Sequence, residues 1–194
     1  MSPIPRDKAR LLDAYLVAAA RAGDVAARAR LVARWQPKLL GHAWRLTGDA
    51  EMAREAVQDG WIEILRGLAG LYDELAFPAW ALRIVTRRAR RLGGRRGLDR
   101  ARQAPLDDDL ADASAGGEAG GGDGADVLAR RTLQRGIEAL PPDQRAALAL
   151  VYLHGLSVAE AALALEAPEG TIKTRLMHAR RKLRDHLIDQ GVRP

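Results

Sequence analysis

A chain of 194 residues without a single cysteine has no disulfide, no thiol nucleophile and no Cys-ligated zinc ion. Its net charge of +6 favours a polyanionic partner, and its low aromatic content of 4%, beside abundant Ala, Leu and Arg, indicates an all-α protein. No run of about 18 apolar residues and no signal-peptide core is present, so we expect a cytoplasmic protein without membrane insertion.

Charge divides the chain into three segments. Residues 1–102 carry 20 Lys and Arg against 11 Asp and Glu, and residues 127–194 carry 11 against seven. Residues 103–126 hold seven acidic residues, no basic ones and much Gly and Ala, a composition that builds no core. We therefore predict two helical domains, residues 1–92 and 127–194, joined by a flexible linker over 93–126 that begins Arg-rich and continues acidic and Gly-rich.

Helical patterns fill the N-terminal segment. Asp49 is a candidate N-cap for a helix from Ala50 to Leu68, because its carboxylate can accept from the free N–H groups of the first turn. Pro78 stands at a favoured first-turn position of a later helix, which we expect to end near Leu92, before Gly93-Gly94. The other predicted helices run from about Lys8 to Arg21, from Gly23-Asp24 through Trp35, and from near Pro37 through Trp44 to Leu46.

A short helix, a proline turn and a longer helix are predicted near the C-terminus. Ser157 can cap a helix from Val158 to Leu165, and the following Pro168 cannot continue it. Gly170-Thr171 then opens a second helix that runs to about Ile188. Its apolar stripe consists of Ile172, Leu176, Ala179, Leu183 and Leu187.

The opposite face of that second helix mixes hydrogen-bonding, apolar and cationic side chains. It holds Thr174, Met177, His178 and Arg181, with Lys173 and Arg184 beside them. Such a mixture suits the base edges and phosphates of a DNA major groove. A solvated basic face at the end of a helical bundle is the alternative that periodicity alone leaves open.

Both segments resemble the extracytoplasmic-function (ECF) sigma factors of the sigma-70 family of bacterial RNA polymerase. LTGDAEMAREAVQDGWIEILRGL and FPAWALRIVTRRARR resemble region 2, with matches at Glu55, Val57, Gln58, Asp59, Phe77, Trp80, Arg83 and Ile84. The segment from Leu140 to Leu187 resembles region 4. Its matches are Leu140, Pro141, Arg145, Leu150, Tyr152, Gly155, Leu156, Ser157, Glu160, Ala161, Pro168, Gly170, Thr171, Lys173, Arg175, Leu176, Ala179 and Arg180.

The resemblance implies a sigma factor that guides RNA polymerase core to promoter DNA, recognises the −35 element and opens the −10 element. It implies no catalysis, no cofactor and no metal, a monomer when free, and an anti-sigma partner. In the family the connector between the regions runs into the RNA exit path of the polymerase. The acidic residues here could therefore follow a basic channel, although they could simply keep a Gly-rich strand soluble.

The resemblance also assigns three sets of site residues. The set for the −35 element is Thr171, Lys173, Thr174, Arg175, Met177, His178 and Arg181. The set for the −10 element is Phe77, Trp80, Arg83, Arg87, Arg88 and Arg91, with Trp80 favoured as a core residue. The set for the polymerase core is Glu55, Gln58, Asp59, Ile62 and Arg66, which spacing alone would give to a solvated helix face.

Three departures from the family pattern change the expected promoter preference. Arg87 stands where the family has Asn, Arg91 stands where a downstream Asp is frequent, and His178 stands where Arg is frequent. We therefore expect the −10 and −35 preferences to differ from those of relatives.

Two other functions stay open at this point. A stand-alone helix-turn-helix regulator would leave the region 2 pattern unused, and a sigma mimic would capture an anti-sigma protein without touching DNA. No catalytic motif is present, and Asp107-Asp108-Asp109 is too unorganised to hold a divalent ion well.

Overall fold

The computed structural model describes residues 6–103 and 124–191, and every regular element within these ranges is helical. Short 3₁₀ segments connect the third and fourth helices, and a π-helical turn follows the sixth. The acidic part of the predicted linker, with Asp107-Asp108-Asp109, lies outside the described residues. The helices are α1 (Arg6–Arg21), α2 (Val25–Thr47), α3 (Ala50–Gly67), α4 (Phe77–Gln103), α5 (Gly124–Glu138), α6 (Pro142–Leu148), α7 (Val158–Leu165) and α8 (Glu169–Asp189).

Local capping chemistry sets the start of three helices. The Asp49 carboxylate accepts from the Met52 N–H at 2.9 Å, which confirms the predicted start of α3. Ser157 and Glu160 form a reciprocal capping box at the start of α7, at 3.1 Å and 2.8 Å. At α2, Asp24 caps in the same way. These starts were predictable because each depends on residues within one turn.

Two predicted helix ends are wrong. The α2 helix does not stop near Pro37 but continues to Thr47 as one helix. Leu31, Trp35 and Leu39 recur every four residues on both sides of the proline and are all buried in the same core. Because that packing needs one continuous helix, it outweighs the hydrogen bond that the exposed proline ring removes.

The other wrong end is that of α4, which continues through Gly93-Gly94 to Gln103. Neither glycine takes a positive φ, so neither terminates the helix as a left-handed cap would. Glycine in a helix costs only about 1 kcal/mol relative to alanine, and the neighbouring Arg, Leu and Ala residues are good helix formers.

Helices α1 to α4 pack around one core. Gly60 on α3 allows close approach to α4, since a Cβ atom there would lie 2.9 Å from the Val85 methyl group. Trp35 and Phe77 meet edge to face, with ring centroids 5.3 Å apart. The predicted region 2 segment is therefore a packed helical bundle.

The C-terminal helices pack directly on this bundle. Helix α7 lies against α4 and α6 lies against α2. Leu156, Leu165 and Ile172 join the same cluster of buried apolar side chains as Phe77 and Leu82. The two helical regions thus share one continuous core, an arrangement that sequence periodicity did not predict. We call this contact between α1–α4 and α6–α8 the junction.

Two histidines lie in the junction. Burial lowers the pKa of His42 to about 3, and the nearby His154, Arg45 and Arg90 act in the same direction. Burial, Arg45 and Lys38 lower the pKa of His154 to about 4. The Thr86 hydroxyl donates to the Leu82 carbonyl, so it accepts at 2.8 Å from Nε2–H of a neutral His42.

The chain should lose stability as pH falls below about 6.5, because the unfolded state then protonates these histidines and the folded state does not. Each histidine contributes about 1.4 kcal/mol per pH unit until its folded pKa is reached. The variant His42→Gln, which keeps a donor for Thr86, should reduce that slope by one histidine's share between pH 6.5 and 5. Urea unfolding at several pH values measures it, and an unchanged slope would contradict the neutral buried imidazole.

Candidate nucleic-acid and polymerase interface

Helix α8 presents the mixed face predicted from the sequence. Ile172, Leu176, Ala179 and Leu183 are buried, as the apolar stripe requires. On the other side, Lys173, Met177 and Arg181 follow one another at intervals of four residues and are exposed, with Met177 53% exposed. Thr174 is exposed beside them, whereas Thr171, Arg175 and His178 are half-buried.

Arg175 differs from the other residues of this set. Its guanidinium donates to the Asp143 carboxylate at 2.6 Å and so ties α8 to α6. Asp143 also lies 3.3 Å from Arg90 of α4. Arg175 therefore stands at the edge of the face, where its side chain holds the helix in place.

Helix α4 carries the cations predicted for the −10 element. Arg83, Arg87 and Arg91 are exposed and spaced by four residues, so they line one face. Within the described structure, several of these cations already face carboxylates. Arg83 donates to Glu166 at 2.8 Å, Arg88 donates to Glu63 at 2.7 Å, and Arg87 also contacts Glu63.

The two aromatic residues predicted near the −10 element lie inside the bundle. Phe77 is fully buried between Trp35 and Trp80, and its ring centroid is 6.2 Å from that of Trp80. Trp80 is half-buried, and a Cβ atom on Gly67 would lie 3.0 Å from its ring. In this conformation Phe77 is a core residue and its ring does not reach the surface, so an unstacked base would not meet it.

Helix α3 exposes the residues predicted to bind polymerase. Glu55, Gln58, Ile62 and Arg66 are exposed, and Asp59 is half-buried with Arg88 at 3.7 Å. Ile62 is the large apolar member of this row, at 46% exposure. An exposed aliphatic side chain flanked by charges is suited to a protein–protein contact.

Sequence reasoning missed an apolar groove beside this face. The groove has a volume of about 560 Å³ and runs between α2 and α3. One sequence pattern could have predicted this groove: Val25, Ala29 and Val32 recur at helical spacing on the outer face of α2. The lining residues are Val25, Arg28, Ala29, Val32, Ala33, Gln36, Pro37 and Leu65.

Among the described side chains, no group of three or more His, Asp or Glu residues is placed to hold a metal ion. None of the described helices is both long and apolar enough to cross a bilayer.

Family models match both helical regions. The model for Sigma-70 region 2 matches residues 31–97, and the model for Sigma-70, region 4 matches residues 130–183. The RNA polymerase sigma-H factor of Pseudomonas aeruginosa is 31% identical over 94% of this chain and 94% of its own length. The ECF RNA polymerase sigma factor SigM of Mycobacterium tuberculosis is 33% identical over 88% of this chain and 82% of its own.

Solved structures share the fold. The sigma factor RpoE from Bartonella quintana, in complex with the anti-sigma factor NepR, gives a TM-score of 0.61 at 21% identity, covering 81% of this chain and 94% of that one. CnrH, in complex with the cytosolic domain of CnrY, gives 0.58 at 23% identity, covering 92% and 98%. At these identities the likeness concerns the helical architecture.

Proposed function

Because the chain belongs to the ECF group of the sigma-70 family, we propose that its three exposed faces divide the work of promoter recognition. The chain is a sigma factor, which directs RNA polymerase core to promoters. We assign the −10 element and the polymerase to residues 1–92, the −35 element to residues 127–194, and the connection to residues 93–126. The observation that carries the assignment is the mixed, exposed face of α8 opposite its buried stripe.

The −35 element would be read as duplex by α8. Lys173 can donate to O6 and N7 of guanine, and Met177 offers an apolar surface to a thymine methyl group. Arg181, two turns further on, is placed for phosphate. Thr171, Thr174 and His178 flank this row, and Arg175 supports it through Asp143.

The −10 element would be held by the arginine row of α4. Arg83, Arg87, Arg88 and Arg91 supply positive charge for the phosphates of the melted strand. Phe77 and Trp80 contribute by keeping α4 fixed on the bundle. Arg87 takes the place of the family's Asn, which favours backbone contact over base readout at that position.

The polymerase core would dock on α3 through Glu55, Gln58, Asp59, Ile62 and Arg66. We add the neighbouring groove between α2 and α3 to this surface, since its Leu65 lies on the same helix as Ile62. An apolar centre with a charged rim is the usual composition of a specific interface.

Three further assignments follow from the same function. Sigma factors are DNA-binding initiation factors, so we propose that this chain has no catalytic role of its own. We also propose a cytoplasmic location, because RNA polymerase core and promoter DNA are found there. The structurally similar sigma factor RpoE is bound by the anti-sigma factor NepR, and we propose an anti-sigma partner for this chain as well. A stand-alone regulator is not favoured, because it would leave residues 31–97 without a role.

Replacing Lys173 with alanine tests the assignment of α8. We expect transcription by core polymerase and this chain to fall by about 5- to 150-fold on the preferred −35 sequence, because one base pairing discriminates by about 1–3 kcal/mol. On templates altered at the contacted base pair, the variant and the wild type should differ little. In vitro transcription across a panel of −35 sequences measures this.

The matched control is Lys182→Ala. Lys182 is also exposed on α8 but lies nine residues later, on the opposite side of the helix at about 100° per residue. It should lower transcription slightly and equally on all templates. A uniform loss from Lys173→Ala as well would show that Lys173 contacts phosphate and not a base.

A further inference from the structure

We propose that Pro37 and Gln36 prepare two hydrogen bonds for RNA polymerase core in the groove between α2 and α3. The acceptor is the carbonyl oxygen of Ala33, and the donor is the Gln36 side-chain amide. The inference rests on the proposed docking of polymerase on α3 and deepens it, since it adds two polar contacts to an otherwise apolar groove. The polymerase segment that fits is apolar and carries a donor and an acceptor side by side, as an Asn or Gln side chain does.

The missing N–H group of Pro37 is the first step. Pro37 lies inside α2, which runs from Val25 to Thr47 as one helix. Because proline has no N–H, the carbonyl of Ala33, four residues earlier, lacks the hydrogen bond that a helix normally provides. Ala33 and Pro37 are both exposed, and both line the groove. A carbonyl that the helix leaves free therefore lies beside the groove, where a donor from another protein can reach it.

The amide of Gln36 is the second step. Its oxygen Oε1 accepts from the indole N–H of Trp61, which holds the amide group against α3. With that oxygen engaged, the amide nitrogen keeps two N–H groups for an acceptor outside the chain. Gln36 is exposed and lines the groove, three residues after Ala33. Residues at this spacing are neighbours on a helix surface, so the free donor and the free acceptor lie on the same face of α2.

The cost of a proline inside α2 is the third step. Proline is the least favourable residue in the interior of a helix. The Pro37 ring is exposed, and Leu31, Trp35 and Leu39 supply the buried side chains of this part of α2. An alanine in place of Pro37 would therefore suit the fold better. A residue that opposes local structure without a gain in packing is expected where function needs it, and the free Ala33 carbonyl is the gain here.

The position of the groove is the fourth step, and it identifies the occupant. Leu65 lines the groove and lies three residues after Ile62 on α3, so these two exposed side chains are neighbours. Val25, at the start of α2, lines the groove as well and is 73% exposed. The groove thus continues the face of α3 assigned to polymerase core, and one docked segment would cover both.

The test measures the affinity of variants for core polymerase without DNA, by competition with labelled wild-type chain. Pro37→Ala returns the N–H that the Ala33 carbonyl lacks, and Pro37→Val does the same while it keeps an apolar side chain in the groove. The matched control is Pro142→Ala, which removes another exposed proline, at the start of α6. The first N–H groups of a helix have no helical acceptor, so Pro142 leaves no carbonyl free.

We expect Pro37→Ala to raise the urea concentration at the midpoint of unfolding and yet to weaken binding to core polymerase by about five-fold or more. Stability rises because the helix gains a hydrogen bond, and affinity falls because a polymerase donor is buried without an acceptor. Pro37→Val should weaken binding to the same extent, whereas Pro142→Ala should bind as the wild type does. Because the lost bond joins neutral groups, the loss should be equal at low and high salt.

Gln36→Glu tests the donor separately. A glutamate keeps an oxygen for Trp61 but offers no N–H group, so binding to core polymerase should weaken by about five-fold or more. Gln190→Glu makes the same change at an exposed position at the end of α8 and should keep the wild-type affinity.

Wild-type affinity in Pro37→Ala or in Gln36→Glu would overturn the proposal. So would wild-type affinity in Pro37→Val alone, because the apolar ring would then be the contact, or a lower stability of Pro37→Ala, because the proline would then serve the fold itself. Failure of the proposed function has a different signature, since the wild-type chain would then not bind core polymerase at all.

Discussion

Replacing Phe77 with alanine is expected to lower the free energy of unfolding by about 3–5 kcal/mol. The ring is fully buried at the first residue of α4 and contacts Trp35 edge to face at 5.3 Å. Its removal leaves a cavity lined by rigid indole rings, which cannot collapse to fill it. Urea unfolding followed by circular dichroism measures the loss.

Tyr72→Ala is the control for this substitution. Tyr72 lies five residues before Phe77 in the loop leading to α4 and is 94% exposed. Its removal should change the free energy of unfolding by no more than about 0.5 kcal/mol. If Phe77→Ala proved equally harmless and reduced only promoter opening, the ring would have to leave the core and contact DNA directly.

Phe77 also shows which part of a site can be predicted from the sequence and which part needs the structure. The resemblance to region 2 located the aromatic pair, but it could not tell a ring that touches DNA from one that supports the helix carrying the arginines. That distinction depends on where Trp35 lies, 42 positions earlier in the chain. The full burial of the Phe77 side chain in the structure identifies it as a ring that supports the helix.

Features that depend on neighbours in sequence were predicted well. The caps at Asp49 and Ser157 and the apolar stripe of α8 each involve residues within one or two turns, so the residue types are enough to define them. The α-helical class follows from the same local preferences. These are the parts of the fold in which local and tertiary preferences agree.

Features that depend on distant neighbours were not predicted. Pro37 lies inside α2 because residues before and after it enter the same core. The ion pair between Arg83 and Glu166 joins residues 83 positions apart. Neither the continuous α2 helix nor this ion pair could be predicted from the spacing of residues in the sequence. The charge segments predicted two helical regions, but they gave no sign that apolar side chains of both regions would share one core.

Replacing Ile62 with arginine should weaken binding to polymerase core by about 30-fold or more. Truncating or charging a central interface residue costs about 2 kcal/mol or more, and each 1.4 kcal/mol is a factor of ten in affinity. The free chain should keep its stability, because Ile62 is 46% exposed on the outer face of α3. Competition with labelled wild-type chain for core polymerase measures the affinity without DNA.

The matched control is Ile188→Arg, which makes the same change on another exposed helical isoleucine. Ile188 is 55% exposed at the end of α8, far along the chain from the polymerase face. It adds the same charge, so any general effect of charge on association appears in both variants. Equal affinities for the two variants would remove Ile62 from the interface, and the groove between α2 and α3 would then have to supply the apolar centre of polymerase binding by itself.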